Sequence, residues 1–211
     1  SQELNFNVMF SQRGVLNLGH SLQDMRDIER RVTANRLNGV DGEVVSPAQI
    51  KEMLPFINLN TRYPVLGASL QRRGGVARHD AVAWGVARAA DFFGVDVIQH
   101  CEVTGIRREG GAVVGVETGQ GFIKAKKVAI VAAGHSSVVA DMAGIRLPIE
   151  CRPLQALVSE PLKPIFPTVV MSNAIHAYIS QSDKGDLVIG AGVDQYAGYG
   201  QRGSYHTIAH T

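Results

Sequence analysis

The sequence predicts an α/β (α+β) chain with a mixed sheet, a second and mainly antiparallel sheet, and accompanying helices. Three observations carry this. Apolar residues fall at helical spacing after recognisable start signals near residues 21, 46 and 80. Between 95 and 134 the chain becomes a series of short apolar runs separated by glycine pairs, the pattern of strands and tight turns. Beyond Pro148, prolines at 153, 161, 164 and 167 alternate with further strand-like runs. A chain of 211 residues, 45% hydrophobic and 19% charged, has enough apolar material for a real core.

Taken in order, residues 3 to 18 alternate like strand material, and the turn at Arg13-Gly14 suggests a hairpin with VLNLG as its second arm. Ser21 opens a helix carrying Leu22, Met25, Ile28 and Val32, closed by Asn38-Gly39. Ser46-Pro47-Ala48-Gln49 has capping-box order ahead of QIKEML, with proline at the first helical position. Residues 56 to 73 read as loop and short strand. After Asp80, Val82, Val86, Ala89, Ala90 and Phe93 share a helix face that ends at Gly94. VDVIQH, CEVTGIRRE, AVVGVET, FIKA and KVAIVAA then read as successive strands, the last a buried run ending in small residues. A helix follows from Ser136 or Ser137. LQALVSE, TVVMS, IHAYISQ and DLVIGAG complete the strands, the last two as a hairpin turning at Asp183-Lys184-Gly185. Composition changes at Gly74 and near Arg146 divide the chain into 1–72, 73–146 and 147–211, with the first and third parts forming one module.

A net charge of +2, with no basic run interleaved with aromatics, argues against a nucleic-acid partner. No apolar run approaches the length needed to span a bilayer, and no signal peptide opens the chain, so no membrane association and a cytoplasmic location are expected. Cys101 and Cys151 match neither a disulfide framework nor a zinc spacing and are expected as reduced thiols; no metal site is expected. The chain starts at SQELNFNV and stops within SYHTIAHT, as a piece of something longer would.

The triplet Arg78-His79-Asp80 stands in front of an amphipathic helix. Asp80 suits the N-cap, where a carboxylate accepts orphan backbone N–H groups and faces the positive end of the helix. Adjacent residues do not share a helix face, so Asp80 is not expected to orient His79.

A helix followed by VDVIQHCEVTGI, a three-stranded meander and VAIVAAG resembles the middle of the D-amino-acid-oxidase-like flavoenzyme fold. Within it, FSQRGVLNL, RLNGVD, RYPVLGA, ARHDAVAWG, AGHSSVVADMAG, RPLQALVSE and VVMSN are similar to the β subunits of heterotetrameric sarcosine oxidases, from Ser1 to Thr211. The resemblance implies a central fragment. No strand–GxGxxG–helix unit is present, and the family's pyrophosphate loop is expected before Ser1.

The resemblance also implies two flavins. His79 matches the histidine joined covalently to the 8α carbon of FMN, and a helix N-terminus disfavours imidazolium there. Arg78 falls where close relatives carry lysine, beside FMN. His176, in NAIHAYIS, matches an FMN-side histidine, with Tyr178 on the same strand face. Val103 matches a position whose main chain contacts the adenine of FAD, and Ala133 and Gly134 belong to the small-residue turn near FAD. His135 reads as a neighbour of that turn, and His20 has no constellation around it. The implied activity is oxidative demethylation of sarcosine to glycine, with hydride passing to noncovalent FAD, electrons to covalent FMN, and oxygen giving hydrogen peroxide. The α, γ and δ subunits are the implied partners, with tetrahydrofolate as acceptor on one of them. No catalytic residue is singled out. A single-flavin amine or amino-acid dehydrogenase and a non-catalytic assembly subunit are the alternatives.

Overall fold

A computed structural model describes residues 2–200 and 202–210. Of these, residues within 1–88, 154–194 and 202–211 form one compact unit, and residues within 89–153 and 195–201 another.

The first unit is organised by a seven-stranded mixed sheet. In chain order its strands are β2 (Val15–Gly19), β3 (Glu43–Val45), β4 (Gly67–Gln71), β9 (Leu154–Val158), β10 (Val169–Ser172), β11 (Ala177–Gln181) and β12 (Leu187–Val193). Their spatial order is β3-β4-β2-β10-β11-β12-β9. Every pair is antiparallel except β2 with β10, which run parallel in the register Val15↔Val169 to Leu18↔Ser172. The β11–β12 hairpin forms as its turn residues predict.

The 3–18 segment departs from the expected hairpin. β1 (Phe10–Gln12) leaves the β2 direction at Gly14, whose φ is +78°, and pairs instead with β5 (Gly75–Ala77). Two features fix that pairing. The N–H groups of Arg13 and Gly14 both donate to the Gly74 carbonyl. A Cβ on Gly75 would lie 2.0 Å from the Ser11 carbonyl oxygen, so only glycine permits this approach.

Helices α1 (Leu22–Leu37) and α2 (Pro47–Met53) start at the predicted serines. Ser21 pairs reciprocally with Asp24, and Ser46 with Gln49, closing two capping boxes. The first also lowers the Asp24 carboxyl below its usual range, chiefly through the His20 N–H it accepts. Ile50 and Leu54 lie fully buried against Leu16, Leu18, Val45, Ala68, Leu70 and Val170. Each such large apolar side chain contributes about 1.5–3 kcal/mol of burial. α5 (Tyr205–His210) follows β12 in the same unit.

The second unit holds the antiparallel meander β6 (Val103–Glu109), β7 (Ala112–Thr118) and β8 (Gly121–Lys124), as expected, with α4 (Ser136–Asp141) after it. Gly110 and Gly111, at φ +56° and +83°, make the β6–β7 turn. Two expected strands are not present. Residues 95–100 and 126–132 pair with none of the described strands, and Val131 is 93% exposed. Their apolar composition is that of buried strands, but a strand needs a neighbour to satisfy its backbone, and no described strand flanks either segment. Among the described residues, no helix is long and apolar enough to cross a membrane and no His/Cys/Asp/Glu group could hold a metal ion.

Candidate functional site

In the first unit, α3 (His79–Phe92) begins directly at the candidate histidine. The Arg78 carbonyl accepts the Val82 N–H at 3.0 Å, so Arg78 occupies the cap position that the sequence suggested for Asp80. Asp80 lies inside the first turn and grips Arg78 in a forked pair, Nε to Oδ1 at 3.1 Å and Nη2 to Oδ2 at 2.8 Å. That hydrogen-bonded guanidinium, with help from the Ala81 N–H, lowers the Asp80 carboxyl to about 2, and the same pair raises Arg78. The arginine and aspartate thus close on each other across His79. Neither bonds the exposed imidazole, which has no hydrogen-bond partner among the described residues. An unpartnered ring nitrogen on an exposed helix terminus fits covalent attachment of a group from outside.

His176 does not lie on a strand. It ends the turn between β10 and β11 at φ +49°, and its amide donates to the Asn173 carbonyl at 3.4 Å. The residues flanking the turn alternate correctly, but Asn173 starts the reversal before the strand pattern resumes at Ala177. Tyr178 therefore does not share a strand face with it. Tyr178 instead lays its ring across Gly190, its partner on β12, where a Cβ would meet the ring's Cε1 at 1.8 Å.

A histidine that the sequence left without neighbours is tied into this end of the sheet. His20 follows β2, and its Nδ1 lies 2.9 Å from the Tyr63 carbonyl, which can only accept. Nδ1–H therefore donates there, while Nε2 lies 2.8 Å from the Ser172 hydroxyl at the end of β10. The ring joins the carboxyl ends of the two parallel strands just before the turn bearing His176. The parallel β2–β10 pairing creates this site by bringing together His20 and Ser172, 152 residues apart, and no local pattern announces it.

In the second unit, Val103 opens β6 and pairs with Thr118 of β7. β6 is the edge of its sheet, so its outer backbone groups are available to a planar ring with donors and acceptors along its rim, as an adenine has. Ala133, Gly134 and His135 form one turn of 3₁₀ helix, with Ala133 at φ +45° and the His135 amide donating to the Ala132 carbonyl at 2.9 Å. The small side chains of Ala132, Ala133 and Gly134 let another molecule approach the backbone closely. Both features fit a dinucleotide. Lys124, Lys126 and Lys127 are exposed, as a solvated rim would be. Cys101 and Cys151 are free and half-buried.

An open cavity of about 620 Å³ beside Arg13, Phe166, Gln181 and Asp183 contains none of the flavin-site residues expected from the sequence. Two of its charged residues meet each other: Arg13 pairs with Asp183 and also donates to the Gln181 carbonyl.

Comparison with known proteins shows the family and the fold. The family model described as FAD dependent oxidoreductase matches residues 1–210. Sarcosine oxidase subunit beta of Arthrobacter sp is 58% identical over 209 residues, which is 98% of this chain and 52% of that protein. The chain spans about half the length of the curated relatives it matches this well. Mitochondrial sarcosine dehydrogenase of Homo sapiens is 31% identical over 153 residues, 70% of this chain and 16% of that protein. Among solved structures, L-proline dehydrogenase from P.horikoshii superposes with a TM-score of 0.86 at 26% identity, over 100% of this chain and 56% of that one. Glycine oxidase from Geobacillus kaustophilus superposes at 0.77 with 20% identity, over 99% and 56%, a likeness of fold.

Proposed function

Because the chain belongs to the FAD-dependent oxidoreductase family, we propose that it forms part of the β subunit of a heterotetrameric sarcosine oxidase that demethylates sarcosine oxidatively to glycine. The observation that carries this reading is the likeness to sarcosine oxidase β subunits along nearly the whole chain. When bound, FAD supplies the hydride acceptor and covalent FMN relays electrons to oxygen, giving hydrogen peroxide.

The residues of this chain have the following roles in that reading. His79 offers the free ring nitrogen for covalent attachment of FMN, and Arg78, held by Asp80, places a fixed positive charge beside it. His176, presented on its turn and braced through Ser172 by His20, faces the FMN side. The outer backbone of Val103 takes the adenine of FAD, and the Ala133-Gly134 turn takes a nearer part of the same molecule. The seven-stranded sheet is the substrate-side module and the meander belongs to the flavin side. The α, γ and δ subunits are the partners, one of them using tetrahydrofolate as acceptor, and the assembly works in the cytoplasm. An anaerobic spectrum of the full-length complex tests the reading: sarcosine should bleach the flavin bands. Flavin that stays oxidised with sarcosine but is reduced by another secondary or primary amino acid points instead to a related dehydrogenase.

A further inference from the structure

We propose that Tyr199 is a positioning residue that clamps the Ala133-Gly134 turn in a geometry able to receive FAD, an inference that rests on the reading of that turn as flavin-facing. The Tyr199 ring stacks on the His135 ring, with centroids 4.4 Å apart and planes 20° from parallel. Its hydroxyl donates to the Gly134 carbonyl at 3.0 Å and lies 3.4 Å from Ser137 Oγ. One side chain from residues 195–201 thus touches three of the four residues that follow Ala133.

The turn needs such a clamp. Ala133 sits at φ +45°, a left-handed conformation unfavourable for an L-residue with a Cβ, so the surroundings must hold it. Cys151 borders the turn, its Sγ 2.8 Å from where a Cβ on Gly134 would lie. Cys151 also anchors the clamp, since its carbonyl accepts the Gly198 N–H at 2.8 Å, and Arg152 holds the Gln195 carbonyl at 2.8 Å. Gly134 is therefore in contact with a thiol and a phenol whose segments share one backbone hydrogen bond.

The test uses the full-length β subunit in its complex, with FAD as the probe. Hydrogen exchange over residues 128–137, with and without FAD, reports whether the turn meets the cofactor at all. The FAD dissociation constant and the visible flavin spectrum are then compared for Tyr199→Leu and Tyr199→Phe. Leucine should weaken FAD about tenfold or more and shift the spectrum. Phenylalanine, which keeps the stack and loses one neutral hydrogen bond, should weaken it only about fivefold. FAD-dependent protection of the turn with wild-type affinity and spectrum in both variants would overturn the clamp and leave the turn's assignment standing. Absence of FAD-dependent protection at 128–137 would remove the assignment and the clamp together.

Discussion

Replacing Gln181 by leucine removes an amide that joins three pieces of backbone. Gln181 is 4% exposed. Its Oε1 accepts the N–H groups of Ile165 at 2.8 Å and Phe166 at 3.1 Å. Its Nε2 donates toward the carbonyls of Gly185 at 2.9 Å, Lys163 at 3.0 Å and Leu162 at 3.3 Å. A primary amide has two hydrogens to give, so the five contacts amount to about four full bonds, the longest being shared. At about 1 kcal/mol net for each, the gross loss is about 4 kcal/mol. The open cavity beside Phe166 lets water reach part of the freed backbone, which brings the expected cost to about 2–4 kcal/mol. Equilibrium urea unfolding of the full-length protein should show a midpoint about 1 M lower, with faster amide exchange at Ile165 and Phe166. Gln181→Glu is the sharper control. An ionised carboxylate keeps both acceptor contacts but turns lone pairs toward three carbonyls, so it should lose at least as much at neutral pH and regain part as acid protonates it. An unchanged midpoint with unchanged exchange at both amides, in both variants, would refute the hub.

Three further outcomes follow from the site. His79→Asn in the full-length complex should abolish protein-linked flavin while extractable FAD remains, because asparagine has no nucleophilic ring nitrogen; fluorescence of denaturing gels after acid treatment reads this. Asp80 has a folded pKa lowered to about 2, so it should stay ionised well below the usual carboxylate range. The stability its pairing contributes is complete above about pH 4 and fades as pH falls through about 2, which carboxyl NMR shifts can follow, and Asp80→Asn should retain the flavin linkage. Gly190→Ala should drive the Tyr178 ring off β12, since the new methyl would lie 1.8 Å from Cε1; near-ultraviolet circular dichroism should change, with a stability loss of about 1–3 kcal/mol.

What the sequence disclosed and what it withheld divide by range. The Ser46–Gln49 capping box, the helix start at Ser21, the meander and the β11–β12 hairpin are set by residues within a few positions of each other, and all were legible. The β1–β5 and β2–β10 pairings join distant segments, and with the second went the surroundings of His20 and Ser172; the contacts of Tyr199 with Gly134 and His135 are likewise between segments far apart in the chain. The Asp80 reading was off by two positions for a local reason: its carboxylate has a better partner in the Arg78 guanidinium than in the orphan amides of the helix. At 95–100 and 127–133 composition overrode topology, because apolar β-branched runs signal a strand without saying what it would pair with.

The parallel pairing of β2 with β10 bears on how the chain reaches this state. These neighbours are separated by about 150 residues, and between β5 and β9 the backbone makes an excursion through α3, the meander and α4 before returning to the same sheet. Thermodynamically the excursion is inexpensive, because closure entropy rises only logarithmically and doubling its length would cost about 0.6 kcal/mol. Kinetically it is slow, since β10 cannot align with β2 until both ends of the detour have been made. During synthesis β2 and β4 can pair early, leaving one edge of β2 unpaired until β10 emerges. That waiting edge, rather than any part of the finished sheet, is where a nascent chain is most exposed to pairing with the wrong strand.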